Sequence, residues 1–208
     1  MKKLLHIIAT PREDESRTLH VSNAFIESFK VKHPGWVLEE LNLFKAALPP
    51  LTVERVDGKY VLLAGKDLFG ELKEAWEEIV LHIEKFLSAD GYLISAPMWN
   101  FSIPYVLKHY LDIIVQPKYL FQYTATGVEG LVKNRKMVIV TSRGGDYSPA
   151  ETRSFDFQEP YLKAIFNFVG VTDIAFVNSQ PMDALGPKIR DQKIEAACSM
   201  AKNLGEKF

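Results

Sequence analysis

Apolar positions along this chain switch repeatedly between a continuous run of strand length and a stripe of helical period. Leu4 to Ala9 is such a run, and Ser16 to about Lys32 carries Val21, Phe25 and Phe29 on one helical stripe. His33-Pro34-Gly35 ends that helix. Trp36 to Leu43 reads as a second strand, more polar and so suited to a sheet edge. Phe44 to Gly65, centred on Pro49-Pro50, reads as irregular. Lys66 to Leu87 places Leu68, Leu72, Trp76, Ile79, Ile83 and Phe86 on one face of a long amphipathic helix. Gly91 to Ala96 is a third strand. Pro104 to Val115 is a helix with proline in its first turn, where the missing N–H costs nothing. Tyr119 to Tyr123 and Gly130 to Val132 flank Thr124 to Glu129 as a hairpin. Lys136 to Ser142 is the fourth strand, Pro160 to Val169 a helix, Asp173 to Asn178 the fifth strand. Lys188 to Leu204 closes the chain, with Ile194, Ala197, Ala201 and Leu204 on one stripe.

Strands that alternate with helices predict a parallel sheet covered on both faces. Four of the main strands are apolar runs and the second is weaker. That pattern fits the doubly wound order 2-1-3-4-5 with strand 2 at an edge. No repeat, low-complexity tract or shift in composition divides the chain, so residues 1–208 read as one domain.

Composition narrows the choice of partners. With 25 basic and 26 acidic side chains the net charge is −1, and no basic patch dominates, which argues against nucleic acid. The same balance argues against an acidic electron shuttle steered by charge. The apolar start, Leu4 to Ile8, is too short for a signal peptide and gives way to Arg12-Glu13-Asp14-Glu15. No apolar segment is long enough to span a bilayer. A cytoplasmic location and no membrane partner are expected. The single cysteine, Cys198, cannot form an internal disulfide and reads as a small buried residue of the last helix. His6 and His109 read as structural. No His/Asp spacing suggests a metal, and no nucleophile elbow is present.

In the predicted fold the loops after strands 1, 3 and 4 meet at one edge. The first, Thr10 to Thr18, lacks both the dinucleotide fingerprint and the nucleotide P-loop. It does gather Thr10, Ser16, Arg17 and Thr18 at a helix start, where free N–H groups and hydroxyls can hold a phosphate monoester. The plainer reading is N-capping by Ser16, which needs only one hydroxyl. The second loop, Pro97-Met98-Trp99-Asn100-Phe101-Ser102-Ile103-Pro104, carries large flat side chains that a simple turn does not need. Met98, Trp99 and Phe101 can line a planar heterocycle, and Asn100 can bond its edge; alternatively these aromatics fill the core. The third, Ser142-Arg143-Gly144-Gly145, lets backbone approach a ligand without Cβ atoms, or is a flexible turn. Together the three loops describe a site for a mononucleotide with a flat ring, which in the five-stranded fold is typically FMN.

These residues carry a family resemblance. Pro97-Met98-Trp99-Asn100-Phe101-x-Ile103-Pro104, Ser142-Arg143-Gly144-Gly145, Ser16-Arg17-Thr18 and the hairpin residues Phe121 to Thr124 with Gly130 to Val132 resemble the FMN-dependent NADH-azoreductases. That flavodoxin-like group also contains NAD(P)H:quinone reductases. The resemblance covers nearly the whole chain and implies a flavodoxin-like fold. It implies phosphate contacts at Ser16, Arg17 and Thr18 with Thr10 nearby, and ring contacts at Pro97, Met98, Trp99, Asn100 and Phe101. It implies contacts to the pyrimidine end of the ring at Ser142, Arg143, Gly144 and Gly145. Trp99 stands where tyrosine is common, and Thr10 and Thr18 where serine is common; no hydroxyl is lost at the last two.

The activity so implied is reduction of azo compounds or quinones by NADH or NADPH. Hydride would pass through flavin N5 in a ping-pong cycle, tuned by Asn100, Gly144 and Gly145. The resemblance also implies a homodimer with its active site at the subunit boundary. Phe121, Tyr123 and the long helix would come from the partner, and Phe168 would join the substrate pocket. Preference between NADH and NADPH would turn on basic residues such as Arg12, Arg55 or Lys59. Three other readings stay open at this point. They are an FMN-binding electron carrier without reductase activity, a redox-sensing or partner-binding protein, and a hydrolase. The last would want a metal cluster or an activated nucleophile.

Overall fold

The structure, a computed structural model, describes residues 1–208. In chain order its elements are β1 (Lys2–Ile8), α1 (Arg17–Lys32), β2 (Trp36–Asn42), α2 (Val53–Leu63), α3 (Gly70–Leu87), β3 (Gly91–Ser95), α4 (Tyr105–Ile114), β4 (Phe121–Thr124), β5 (Gly127–Gly130), β6 (Lys136–Ser142), α5 (Ala150–Arg153), α6 (Glu159–Val169), β7 (Asp173–Ser179) and α7 (Gly186–Lys207). Five strands form one sheet in the order β2-β1-β3-β6-β7, and every pairing in it is parallel. Counted within the sheet this is the expected order 2-1-3-4-5, with the more polar strand at an edge. The antiparallel pair β4-β5 stands apart.

The pleat of the central strands splits the core in two. Leu5, Ile7, Tyr92, Ile94, Met137 and Ile139 point to one face, where they meet Trp76, Ile79 and Ile83 of α3 and Leu107 and Leu111 of α4. Leu4, Leu93, Val138 and Val140 point to the other, against Val21, Phe25 and Phe29 of α1 and Ala197 and Ala201 of α7. The predicted stripes of α1, α3 and α7 are therefore the buried ones, except that α3 starts at Gly70 and not at Lys66, which leaves Leu68 ahead of the helix. Since all five sheet strands run in parallel, all their carboxyl ends lie along one edge.

Two expectations fail. The stretch read as irregular contains helix α2, started by Thr52, whose hydroxyl accepts from the Arg55 N–H. Gly58 in mid-helix hides it from propensity. That glycine is where α3 comes closest: a Cβ there would overlap the Trp76 indole, whose Nε1–H donates to the Arg55 carbonyl at 2.9 Å. The hairpin is also tighter than expected. Its strands are Phe121–Thr124 and Gly127–Gly130, so only Ala125 and Thr126 form the turn. The Thr124 hydroxyl donates to the Gly127 carbonyl and helps close it.

Candidate functional site

The loops after β1, β3, β6 and β7 converge on a cleft of about 180 Å³. Thr10, Ser16, Arg17, Thr18, Pro97, Met98, Trp99, Ser142, Arg143 and Gly144 of the predicted residues line it. Asn100 lies just beyond, in an adjoining cavity of about 690 Å³ that shares Trp99 with the cleft. Arg12, Met182 and Asp183 also line the cleft.

At its floor the first turn of α1 presents donors. Ser16 is the N-cap, its hydroxyl accepting from the Leu19 N–H at 3.3 Å. The N–H groups of Arg17 and Thr18, the next two residues, meet no backbone carbonyl. Capping and anion binding therefore coexist: one hydroxyl caps, while two orphan N–H groups still face the cleft. Around them the hydroxyls pair off, Thr10 with Ser16 at 3.2 Å and Thr18 with Ser142 at 2.7 Å. Each pair uses one of its two protons and leaves the other to donate.

Below this turn lies a buried polar chain. The Ser22 hydroxyl donates to the Thr18 carbonyl at 3.0 Å, so it must accept from Ser95 at 2.6 Å. Ser95 in turn must accept from His6 Nε2 at 2.7 Å. This count places the proton of the neutral imidazole on Nε2. The His6 Nδ1 lone pair faces Glu40 at 3.8 Å without a hydrogen bond. Burial holds the His6 pKa below its usual value despite that carboxylate. His6 is thus structural, as expected. His109 Nε2 donates to the Pro49 carbonyl, 2.9 Å away, and the ring lines the adjoining cavity with Trp99 and Asn100 rather than the cleft itself.

The second loop is a two-residue β-turn. Trp99 and Ser102 exchange both backbone hydrogen bonds at 3.0 Å, and Asn100 and Phe101 between them have φ of 47° and 69°. Paired positive φ values define a type I′ turn, which favours Asn first and Gly second. Asparagine fits; phenylalanine in that region is an outlier of the kind that clusters at functional sites. Met98, Trp99 and Ser102 spend their N–H groups on Ser142, Ser102 and Trp99, so Asn100, Phe101 and Ile103 carry the loop's free N–H groups. Phe101 stands beside Phe155 and Tyr147, at centroid distances of 5.6 and 6.3 Å. Its carbonyl accepts from the Phe157 N–H at 3.0 Å.

The third loop departs from expectation at Arg143. Its side chain does not face the cleft. It is 2% exposed and bound to Asp156 at 2.8 Å, with Gln158 Oε1 at 3.2 Å from Nε and Glu159 at 3.7 Å. Its backbone is also used, the N–H on Ser179 and the carbonyl on Met182. Arg143 therefore shapes the loop; its one group without a hydrogen bond, Nη2, is buried beside Glu159 and not open to a ring edge. Gly144 and Gly145 have free groups: neither N–H donates to a backbone carbonyl. A Cβ at Gly145 would make only ordinary contact, 3.5 Å from Tyr147. The fold does not require glycine there, and its bare backbone is open to close approach.

Phe121, Tyr123 and Phe168 are not with the others. Phe121 packs on Phe168 at 4.7 Å and on Tyr123 at 5.8 Å, a cluster where the hairpin docks on the end of α6, and none of them lines the cleft. Arg55 likewise is no free cation, because its guanidinium binds the carbonyls of Ala75 and Pro50 and the carboxylate of Glu78. Burial raises the Cys198 thiol pKa, which agrees with a packing role.

Sequence reasoning missed Asp183 and Gln158. Asp183 follows the last sheet strand, whose end had to reach the same edge as the other three; position alone could have found it. Gln158 is fully buried, and its amide donates to the carbonyls of Ala96 and Pro97 at 3.1 and 3.0 Å. No local pattern marks it.

A family described as having a flavodoxin-like fold matches residues 2–204. A protein of Nitratidesulfovibrio vulgaris named FMN-dependent NADH:quinone oxidoreductase is 37% identical over the full length of both chains. An azoreductase structure from Bacillus anthracis superposes with a TM-score of 0.91 at 29% identity, covering all of both chains. A second from that organism, an FMN-dependent NADH-azoreductase in complex with FMN, gives 0.85 at 31% identity, covering 99% of this chain and 100% of its own. By sequence and by fold alike, the chain belongs to this flavodoxin-like family.

Proposed function

We propose that the chain is an FMN-dependent oxidoreductase that takes electrons from NADH or NADPH and passes them to a quinone or an azo compound. The observation that carries this reading is the cleft: unpaired donors at both ends and a flat, strained aromatic turn between them. The fit can be followed group by group. A phosphate would meet the Arg17 and Thr18 N–H groups, the spare hydroxyl protons of the Thr10/Ser16 and Thr18/Ser142 pairs, and Arg17 itself. A ring system would lie against Pro97, Met98, Trp99, Asn100 and Phe101. Its electron-rich edge would meet the N–H groups of Gly144 and Gly145. At about 180 Å³ the cleft is smaller than the roughly 300 Å³ at which pockets begin to enclose a drug-sized ligand. The ring would therefore extend over the 97–101 turn, where a second flat molecule can stack on it.

When bound, FMN supplies the redox chemistry, hydride uptake from NAD(P)H at N5 and delivery to the acceptor in a ping-pong cycle. The protein contributes position and charge. The unpaired N–H groups of Gly144 and Gly145 would stabilise negative charge on a ring edge held against them. The buried Gln158 and Asp156 hold the two ring loops at fixed spacing, so those donors need not reorganise. The names of the relatives, which include both NADH:quinone oxidoreductases and azoreductases, support this choice of donor and acceptors. A homodimer with the site at its boundary would let Phe121, Tyr123 and Phe168, grouped away from this chain's own cleft, reach a partner's.

The test is an absorbance spectrum of the purified protein before and after anaerobic NADH. Flavin bands that bleach, and recover when a quinone is added, are expected. A protein that neither carries nor takes up FMN would overturn the reading. Flavin bands that neither NADH nor NADPH bleaches would favour an electron carrier instead.

A further inference from the structure

Asp183 is the one acidic side chain among the residues that line the cleft. Everything around it donates: orphan N–H groups of the first turn of α1, spare hydroxyl protons, Arg12 and Arg17. One carboxylate oxygen, Oδ1, accepts from Arg17 Nη1 at 2.8 Å. The same Nη1 reaches the Met182 carbonyl at 3.4 Å, so all the hydrogen bonds of that guanidinium go to residues 182 and 183. The carboxylate is not free to wander. The Asp183 and Ala184 N–H groups both donate to the Gly144 carbonyl, at 3.1 and 3.2 Å, and the Met182 N–H donates to Arg143. The second oxygen, Oδ2, lies over Gly144, 3.3 Å from where a Cβ would stand. Asp183 thus spans the gap between the phosphate-type loop and the glycine loop, with its charge at the anion end.

Such a charge adds little to folding. The pair is exposed, 30% at Arg17 and 66% at Asp183, and exposed ion pairs contribute about 0–1 kcal/mol. Its effect on a bound anion is larger in consequence. A phosphate dianion entering the cleft must take Arg17 away from Asp183 and then remain beside a like charge. We propose that Asp183 competes with the cofactor phosphate for Arg17 and so limits how tightly this chain holds FMN. The proposal rests on the FMN reading above. It adds that the protein's own carboxylate holds Arg17 until a phosphate takes it, which keeps Arg17 oriented and makes the cofactor exchangeable.

The experiment strips the flavin and titrates the apoprotein with FMN, and separately with riboflavin, which lacks the phosphate. Asp183→Asn should bind FMN about two- to fivefold more tightly than wild type, the range an exposed pair allows. Riboflavin binding should not change. In an Arg17→Ala background the gain should shrink, because the competition has lost its object and only the like-charge repulsion remains; an undiminished gain there would overturn the competition. Asp183→Ser serves as a second variant; the backbone bonds to Gly144 survive both changes. If wild type binds FMN and neither variant binds it more tightly, the competition is overturned while the cofactor reading stands. An equal gain for riboflavin would overturn it too, since the effect would not run through the phosphate. If no form binds FMN, the cofactor reading falls and this inference falls with it.

Discussion

At the scale of single residues, the turn at Asn100 and Phe101 separates backbone demands from chemical ones. Asparagine tolerates positive φ better than other side chains with a Cβ, so its presence alone does not show that its amide binds anything. Two substitutions divide the roles. Asn100→Gly keeps the backbone conformation at no steric cost, whereas Asn100→Ala forces an ordinary residue into it for about 1 kcal/mol or more. The alanine variant should therefore melt lower than the glycine variant in thermal unfolding. If the amide bonds the ring edge, both should retain less FMN than wild type. A glycine variant that holds FMN like wild type would reduce Asn100 to a turn former. Phe101 shows the opposite balance, because glycine is what its position favours. A bulky ring kept there against backbone preference, half-exposed between Tyr147 and Phe155, is explained by a flat surface the turn must offer.

At the scale of elements, the cleft depends on a strut that joins α6 to the sheet. Asp156 Oδ1 accepts from the N–H groups of Gln158 and Glu159 and so caps α6, while its other oxygen holds Arg143. Gln158 then reaches from that helix start to two carbonyls at the end of β3 and to Arg143. Ring loop and glycine loop are tied through one buried amide. Gln158→Leu, similar in size, would leave two carbonyls and a guanidinium N–H without partners in a dry environment. Each such orphan costs about 1–3 kcal/mol, so the unfolding free energy should fall by about 3 kcal/mol in urea titration. A loss under about 1 kcal/mol would mean that water replaces the amide and the strut is not one. The strut was illegible in the sequence for a physical reason. Its partners lie 61 and 62 residues away, and a lone glutamine before a helix has no pattern to announce it. Helix α2 was hidden differently, because the glycine that Trp76 requires is the residue that argues against a helix. The strands suffered from neither problem. In the sheet each is a short run, apolar except at β2, in which local preference and burial agree, so β6 falls on the expected residues and the other four within two, whereas β5 of the hairpin starts three residues early.

At the scale of the whole molecule, sheet and site share one buried polar chain. The loops were legible because their residues are chemically unlike turn formers; the chain beneath them was not, because His6, Ser22 and Ser95 each look like isolated polar positions in apolar surroundings. Their join needs the register that sets Ile8 beside Ser95 and packs α1 over β3. The chain has a consequence for stability against pH. His6 is neutral in the fold, with its pKa pushed by burial below the ordinary 6.5. The only charged group that faces it is Glu40, across 3.8 Å, which favours the proton but does not outweigh burial. As pH falls below 6.5 the unfolded chain takes up a proton that the folded chain refuses, so the unfolded state binds more protons and stability declines. The contribution is intact above that pH and is lost at about 1.4 kcal/mol per pH unit until the folded histidine titrates. His6→Gln keeps a donor for Ser95 and removes the titration. Unfolding free energies of the two proteins, compared between pH 7.5 and 5.5, should therefore diverge in slope, the variant losing less over that interval. Parallel curves would mean that water reaches the imidazole, and that the polar chain under the anion-binding turn is open to solvent.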